Sequence, residues 1–451
     1  MSFLVYATLN FLSRFSSLIL RLSPKKLQNA LAANRTQLKP LSRPLSHKNA
    51  YWFHSASGEF EYAVGVIREL KVLQPNSFIF VSFTSSSYAK VIQSSPLVDA
   101  CEAMNPVDQK RMRQIFETLR PKFLLFARTD IWPQMIFEAK RQNVPTILFA
   151  CSWPRMNLWR SWLYSQLDNV YWAHKVPQGL HAGKGTQAVQ NILGDPRVDQ
   201  ALLKLSESTI HPLPTNESQL ISSANETCLI LGSTWPEDEA IWLNAIKEFT
   251  HTLKIIWVAH EPSTIGTSKL RDKLKSLGRS PVIASEILAL VHQQDTSTST
   301  KGTAPQIAVL ASAFNKASDL IVDEKGYLFS LYQIADLAFV GGSFSRHVHS
   351  VLEATAAGCL VAIGPKHEKN SESQWLKQTY LKDLEVPAVT IVNDEKEISD
   401  WVNAYCQKVP PLAKNRRETL RFELHDLILH KRGASQQIAR RLVDMLDSIL
   451  L

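Results

Sequence analysis

The sequence predicts an α/β fold made of two similar Rossmann-like halves. Short apolar runs alternate with amphipathic helical patterns from Tyr51 onward, as in YWFHSAS, EFEYAVGVIRELKVL and FIFVSFTSS. Such runs between helices are typical of parallel strands covered on both faces. The alternation restarts near Thr227 with CLILGST, a helix over residues 236–252 and KIIWVAHEP. We therefore expect two sheets whose carboxyl ends face a common cleft, because open α/β sheets bind ligands at that edge.

The chain has 451 residues, a length that favours two domains. Residues 204–226, rich in Ser, Pro, Asn and Thr, predict the connection between the halves, and the polar residues 293–306 predict a surface loop. Beyond that loop the second half continues with the apolar runs QIAVL, LIVD, LAFVGGS and CLVAIGP. The expected segments are an amino-terminal helix (1–26), a first domain (45–210), a second domain (225–430) and a carboxyl-terminal helix (431–451).

Residues 3–22 predict an amphipathic helix with one polar stripe. Lys25 and Lys26 follow it, and no basic residue precedes its apolar part, which disfavours a cleaved signal peptide. A membrane-spanning helix would bury Arg14 at a cost of about 2.5–3.5 kcal/mol. An interfacial anchor on the membrane avoids that cost, as does a helix docked on the protein. We expect membrane association, and if the segment spans the bilayer the basic residues behind it place the rest of the chain on the cytoplasmic side.

The net charge indicates which partners suit the chain, and the cysteine content indicates its redox compartment. The 50 Lys and Arg residues exceed the 41 Asp and Glu residues, giving a formal charge of +9. That excess suits an anionic partner such as a membrane or a phosphorylated substrate. The basic residues are scattered, so no nucleic-acid partner is predicted. The five cysteines are widely spaced and odd in number, which indicates a reducing compartment without a disulfide framework.

Two acids follow apolar strands in the first half. Glu59 ends the segment HSASGE, in which Gly58 permits a tight strand-to-helix turn. Asp130 lies in TDIWP. Either carboxylate could act as a general base toward an acceptor hydroxyl. Glu59 could instead stabilise a helix amino terminus, and Asp130 could cap the helix that follows it.

Two segments of the second half resemble ligand-binding loops. Ser233 and Thr234 lie between a strand and the helix start at Pro236, where exposed amides and hydroxyls can hold a phosphate without a metal. An ordinary helix cap with acidic first-turn residues is the alternative. The paired glycines ending at Gly342 would let a ligand approach the backbone closely.

Ser343, His349 and Glu353 follow those glycines. The spacing of His349 and Glu353 predicts that both lie on one helical face. A glutamate at this position could hold ribose hydroxyls, with a buried or surface structural role as the alternative. No Asp-x-Asp triplet occurs in the chain, so we expect chemistry without a metal ion or another cofactor.

Taken in order, these segments resemble the Kdo (3-deoxy-D-manno-octulosonic acid) transferases of lipopolysaccharide biosynthesis, which have the GT-B fold. The segments that match the family are Ser57-Gly58-Glu59, Thr129 to Pro133, Gly194 to Asp199, Gly232 to Glu239, Val258 to Pro262 and Gly341 to Pro365. The resemblance spans residues 1–380. It implies an acceptor-binding first domain and a second domain that binds the nucleotide sugar.

The resemblance also implies residue roles. Glu59 matches the family's proposed base, and Asp130 matches a second acid of the active site. Ser233, Thr234, His260, Gly342, Ser343, His349 and Glu353 would bind the donor. The implied reaction is inverting transfer of Kdo from CMP-Kdo to a lipid A precursor.

The chain departs from the family pattern at several positions. Arg128 stands where a glutamate is expected, and Ala259 stands where the family has an arginine that binds phosphate. Arg155, Arg197 or Arg346 could supply the missing positive charge. Ser350 and Ala354 replace an asparagine and a proline, and CSWPRM at 151–156 replaces the usual NARLS. The alternatives are a GT-B transferase or an epimerase that uses another nucleotide sugar, and a non-catalytic membrane-associated relative.

Overall fold

The computed structural model describes residues 37–39, 41, 49–106, 108–152, 158–174, 191–207, 226–292, 304–382, 384–409 and 414–450. The chain forms two compact units. Unit 1 comprises residues 1–200 and 431–451, and unit 2 comprises residues 201–430. The carboxyl-terminal helix, which the sequence set apart as its own segment, thus belongs to unit 1. The amino-terminal helix predicted for residues 1–26 lies outside the described residues.

The described strands follow the apolar runs closely. They are β1 (Gln37–Lys39), β2 (Ala50–His54), β3 (Phe78–Phe83), β4 (Ala100–Ala103), β5 (Phe123–Ala127), β6 (Thr146–Cys151), β7 (Asn169–Trp172), β8 (Thr227–Thr234), β9 (Leu253–Ala259), β10 (Pro281–Ile283), β11 (Asp319–Val322), β12 (Leu337–Val340), β13 (Leu360–Ile363), β14 (Tyr380–Leu381), β15 (Val386–Pro387) and β16 (Val389–Ile391).

The described α-helices alternate with these strands. They are α1 (Phe60–Leu73), α2 (Ala89–Ser94), α3 (Gln109–Leu119), α4 (Pro133–Arg141), α5 (Leu158–Tyr164), α6 (Pro196–Glu207), α7 (Pro236–Ala245), α8 (Thr264–Ser276), α9 (Ala284–His292), α10 (Ala304–Phe314), α11 (Leu328–Tyr332), α12 (Leu352–Ala356), α13 (Ser371–Leu376), α14 (Glu395–Lys408), α15 (Lys414–Leu429) and α16 (Ala434–Leu450).

The sheet of unit 1 has the strand order β1-β4-β3-β2-β5-β6-β7. Only its edge strand β1 is antiparallel to its neighbour. Tyr51 and Phe53 belong to one buried cluster, whereas Trp52 belongs to another. Because successive residues of a strand point to opposite faces, both faces of this sheet are covered, as the apolar run predicts.

Helix α16 completes the core of unit 1. Ile438 and Leu442 are buried in the same cluster as Val66 and Leu70 of α1. The carboxylate of Asp199 accepts hydrogen bonds from the backbone amides of Gly433 and Ser435, at 2.6 and 2.7 Å. This carboxylate therefore supplies partners for amides that have none within the helix at its amino terminus.

The sheet of unit 2 has the order β10-β11-β9-β8-β12-β13-β16, and all of its strands are parallel. Three expectations for this half are wrong in detail. The run QIAVL lies in helix α10 rather than in a strand, because its apolar residues continue at helical spacing and bury Ile307, Leu310 and Phe314. The helix predicted over 236–252 ends at Ala245, and one 3₁₀ turn follows it. The connection predicted from residue 204 begins inside helix α6, which extends to Glu207.

Each sheet has a central position at which the strand order reverses. In unit 1 the strands on either side of it are β2 and β5, and in unit 2 they are β8 and β12. The loops that leave the carboxyl ends of such strands diverge, and ligands of doubly wound sheets bind between them. Four of the predicted binding segments follow these four strands.

Within the described residues, none of the helices combines the length and the apolar character that crossing a bilayer requires.

Candidate active site

The two predicted acids of unit 1 follow neighbouring strands. Glu59 comes after β2 and Asp130 comes after β5, and the two strands pair directly, with Trp52 opposite Leu124. Gly58 does not have a positive φ angle, and a Cβ added there would meet only the Tyr88 ring, at 3.7 Å. The turn before α1 therefore permits glycine, as expected from the sequence, but does not require it.

Glu59 is the N-cap residue of α1, but its side chain does not cap the helix. Its Oε2 atom accepts a hydrogen bond from the backbone amide of Ser57 at 3.1 Å, and the Ser57 hydroxyl lies at 3.4 Å. The residue is half-buried. This arrangement fixes the carboxylate at the carboxyl edge of the sheet, where a base could accept a proton from a bound hydroxyl.

Asp130 is buried, with 2% of its surface exposed. Its Oδ2 lies 3.5 Å from Nε2 of His54 and 3.4 Å from the indole nitrogen of Trp132. On the far side of His54, the Ser82 hydroxyl lies 2.9 Å from Nδ1 and accepts a hydrogen bond from the indole of Trp52. Ser82 can thus donate its proton to Nδ1, which leaves the proton on Nε2 pointing toward Asp130.

This buried chain ties β2, β3 and β5 together and positions the Asp130 carboxylate. The Ser82 hydroxyl is fully buried, so the group is not a nucleophile with its base. The catalytic role predicted for Asp130 stays a prediction, and the contact with His54 favours a positioning role.

Two arginines surround one tyrosine near these acids. The guanidinium carbons of Arg128 and Arg197 lie 5.6 and 5.1 Å from the centre of the Tyr62 ring. Arg197 also donates a hydrogen bond to the Tyr62 hydroxyl at 3.1 Å. Arg128, which stands where the family has a glutamate, has a φ of 61°. Such left-handed backbone costs roughly 1–2 kcal/mol for a residue with a Cβ.

In unit 2 the loop after β12 is in direct backbone contact with the carboxyl end of β8, where the other loop begins. A Cβ on Gly341 would come within 2.4 Å of the Ser233 carbonyl oxygen and 2.7 Å of the Thr234 Cα atom. Gly342 has a φ of 92°, a region that favours glycine. The close approach predicted from the paired glycines is therefore made by the protein's own backbone at Gly341.

Asp238 holds the same two loops from the inside. Its Oδ2 accepts hydrogen bonds from the amides of Trp235 and Gly342, at 2.9 and 2.8 Å. The side chain is fully buried, and that burial raises the pKa of Asp238 although the amide hydrogen bonds oppose the shift. The sequence analysis assigned Asp238 no role. An acid three residues after a strand-end residue is a pattern of helix capping, but Trp235 is not a usual N-cap residue.

Thr234 is also committed to the protein. It is 2% exposed, and its hydroxyl donates a hydrogen bond to Oε1 of Glu239 at 3.1 Å. Burial raises the pKa of Glu239. Ser233 has a φ of 53° and is half-buried. Of the two hydroxyls predicted to hold phosphate, that of Thr234 is engaged by a carboxylate.

Three aromatic rings stack at the carboxyl ends of these strands. The rings of Trp235 and His260 are 4.8 Å apart, and those of His260 and His349 are 4.3 Å apart and nearly parallel. The indole N–H of Trp235 donates to Nε2 of His349 at 3.4 Å, so this nitrogen is the unprotonated one. The structure thus brings together four predicted donor-binding positions: Thr234, His260, Gly342 and His349.

The histidines of this stack are neutral at pH 7. Burial, followed by the positive charges of Arg346 and of His260 when that ring is protonated, lowers the pKa of His349 to about 4. Burial also lowers the pKa of His260. The two stacked histidines therefore add no charge to this edge at pH 7.

The remaining predicted residues are placed differently. The Ser343 hydroxyl is fully buried and accepts a hydrogen bond from the Gly364 amide at 2.6 Å, so it holds the loop, and donor binding by it stays a prediction. Glu353 lies in α12, which begins at Leu352, so His349 precedes the helix and does not share its face as expected. The Glu353 carboxylate contacts the ammonium of Lys204 at 2.7 Å. No signal in the sequence predicted that pair.

In the ranges described above, no three His, Cys, Asp or Glu side chains converge as they would around a metal ion. All five cysteines are buried and free.

Several known proteins are similar to this chain in sequence or in fold. Residues 28–165 match the family model described as "3-Deoxy-D-manno-octulosonic-acid transferase (kdotransferase)". A 3-deoxy-D-manno-octulosonic acid transferase of Chlamydophila psittaci is 25% identical over 337 residues, covering 71% of this chain and 70% of that protein. The solved UDP-GlcNAc 2-epimerase of Neisseria meningitidis has a TM-score of 0.55 at 11% identity, covering 89% of this chain and all of that one. A solved glycosyltransferase of Rickettsia africae has a TM-score of 0.52 at 12% identity, covering 88% of this chain and 99% of that one.

Each unit is an α/β unit whose mainly parallel sheet has a central switch point, and the two solved structures named above share this fold. The chain therefore has the GT-B fold. The sequence matches narrow this class. The chain is similar to Kdo transferases, through the family model over residues 28–165 and through curated relatives that cover about 70% of the chain.

Proposed function

We propose that the protein transfers Kdo from CMP-Kdo to a lipid A precursor with inversion of configuration. Glu59 accepts the proton of the acceptor hydroxyl, whose oxygen forms a bond to the anomeric carbon of Kdo. The bond between that carbon and the phosphate oxygen breaks, and CMP leaves with the electron pair. The donor is held by unit 2 and the acceptor by unit 1.

One observation carries this proposal: Glu59 stands at the switch point of unit 1, inside the stretch that matches the Kdo transferase model. Its carboxylate is held by Ser57, and among the described residues no basic side chain pairs with it. The neutral aromatic stack in unit 2 supports a nucleoside-binding role, because bases stack on rings of this kind.

The test is incubation of the purified protein with CMP-Kdo and a lipid A precursor, read by mass spectrometry. The expected result is an acceptor whose mass has increased by one or more Kdo units. Parallel reactions with UDP-sugars test whether the protein uses another donor or is an epimerase. Calorimetry with CMP and CMP-Kdo tests whether it is a non-catalytic relative, which failure to bind either compound would favour. Turnover of a UDP-sugar without use of CMP-Kdo would contradict the proposal.

We also propose that residues 1–26 attach the protein to the cytoplasmic face of the inner membrane. The amphipathic pattern and the basic residues behind it support this placement. Deletion of residues 1–24 is expected to move the protein to the soluble fraction after cell lysis. Continued sedimentation with membranes would count against this segment as the anchor.

A further inference from the structure

Arg346 in the loop after β12 is an exposed arginine without a charged partner in the described residues. Its guanidinium carbon lies 3.4 Å from the centre of the Trp235 ring. Its side chain forms no ion pair and no hydrogen bond with any residue that the structure describes. A cation over an indole is stabilised by the ring without using its N–H groups, so all five donors remain for a ligand.

Three groups at this edge that could hold a phosphate are already engaged. Asp238 occupies the amides of Trp235 and Gly342, and Glu239 occupies the Thr234 hydroxyl. A helix start of this type would otherwise be a ready anion site. Because the protein's own carboxylates fill it, a phosphate here needs a positive charge from elsewhere.

Arg346 carries a permanent positive charge and lies against the Trp235 ring of the aromatic stack. His260 and His349 are neutral at pH 7 because burial lowers the pKa of both. Lys366 and Lys369 lie in a neighbouring loop, but their ammonium groups contact the Ser345 carbonyl and the His347 ring. Among the described residues, Lys325 and Glu261 also lie near His260 and act on its pKa, Lys325 downward and Glu261 upward.

We infer that Arg346 binds the phosphate of the nucleotide donor. The inference rests on the proposed function and specifies its donor site. Ala259 stands where the resembling family has an arginine, and the next residue, His260, stacks on the ring that carries Arg346. Ala259 at the end of β9 carries no positive charge, and Arg346 in the loop after β12 supplies one beside the same rings. Of the other candidates, Arg197 is bound to Tyr62 in unit 1, and Arg155 lies outside the described residues.

The test compares CMP with cytidine by calorimetry on the full-length wild type and on Arg346→Ala and Arg346→Lys. Loss of the guanidinium is expected to weaken CMP binding tenfold or more and to leave cytidine binding within twofold. Lysine is expected to restore part of the loss, because it keeps the charge but not the planar fork of donors. Lys369→Ala is the matched control in the same unit, and Arg197→Ala the control in unit 1. Both are expected to keep CMP affinity within about threefold.

Two results would overturn the inference. The first is a CMP affinity that is unchanged in Arg346→Ala. The second is a cytidine affinity that falls as much as the CMP affinity, which would mean that Arg346 supports the Trp235 ring. An effect seen only with CMP-Kdo, and not with CMP, would assign Arg346 to the sugar carboxylate and also reject the phosphate. If the wild type binds UDP instead of CMP, the proposed donor is wrong, and the same comparison with UDP and uridine decides the role of Arg346. A wild type that binds no nucleotide rejects both proposals.

Discussion

The ammonium group of Lys204 lies 2.7 Å from the carboxylate of Glu353, although the two residues are 149 positions apart in the chain. The pair is partly exposed, at 40% for Lys204 and 27% for Glu353. Exposed ion pairs of this kind contribute roughly 0–1 kcal/mol to stability, so the contact is replaceable. A ribose that binds Glu353 can therefore share or displace the lysine.

Glu353→Gln is expected to remove discrimination between ribose and deoxyribose. If Glu353 holds the ribose hydroxyls, the wild type binds CMP at least tenfold more tightly than 2′-deoxy-CMP, and the variant binds both alike. Calorimetry with the two nucleotides measures this ratio. Lys204→Met is the matched control and is expected to preserve the ratio. A ratio unchanged in Glu353→Gln would mean that the ribose lies elsewhere.

Glu59→Gln is expected to lower the rate of Kdo transfer by a factor of roughly 10²–10⁴, the usual contribution of a general base. Folding and CMP affinity are expected to stay within experimental error, because the amide can still accept the hydrogen bond from Ser57. Single-turnover assays with a lipid A precursor measure the rate. Glu61→Gln, two positions along the same helix, is the control and should retain wild-type turnover. Near-normal turnover of the Glu59 variant would show that another group is the base.

The sheets were predictable from sequence because their strands are buried on both faces. Such strands appear as continuous apolar runs, and FIFVSF and LKIIWVA coincide with β3 and β9. QIAVL shows the limit of this reasoning. Five apolar or neutral residues do not distinguish a strand from one turn of a buried helix, and only the continuation to Phe314 decides it.

The candidate site was predictable position by position but not contact by contact. Strand ends marked Glu59, Asp130 and Ser233, because loops after parallel strands meet at one edge. The partners that decide what these groups can do are distant in sequence. Asp238 reaches Gly342 across 104 positions, and no local pattern encodes that hydrogen bond. The sequence therefore predicted a phosphate-binding loop but could not show that a buried carboxylate already accepts hydrogen bonds from the amides of Trp235 and Gly342.

Gly341→Ala is expected to destabilise unit 2 by about 1–3 kcal/mol, the usual cost of overpacking. The added Cβ would lie 2.4 Å from the Ser233 carbonyl oxygen, a backbone atom that cannot rotate away. Urea unfolding followed by tryptophan fluorescence measures the loss as a lower midpoint. Gly58→Ala is the control, since its Cβ would meet only a side chain at 3.7 Å. Equal midpoints for the two variants would contradict the close contact between the loops after β8 and β12.

His349 is expected to make the protein less stable as the pH falls from about 6.5 to about 4. In the unfolded chain a histidine takes up its proton near pH 6.5, whereas burial and the charges of His260 and Arg346 lower the pKa of folded His349 to about 4. Between these values the unfolded state binds more protons, so protonation favours unfolding, and the contribution to stability is complete only above about pH 6.5. Protonation of Nε2 would also oppose the hydrogen bond from the Trp235 indole.

Urea unfolding at several pH values between 7.5 and 4.5 measures this dependence. His349→Gln is expected to flatten the fall in the free energy of unfolding, since glutamine does not titrate and can still accept a hydrogen bond from Trp235. His430→Gln, on a side chain that is 73% exposed, is the control and should keep the wild-type slope. Burial lowers the pKa of His260, His347 and His367 as well, so part of the dependence should remain in the His349 variant. A slope as steep in His349→Gln as in the wild type would mean that His349 does not carry this effect, and that the ring is protonated as easily in the folded chain as in the unfolded one.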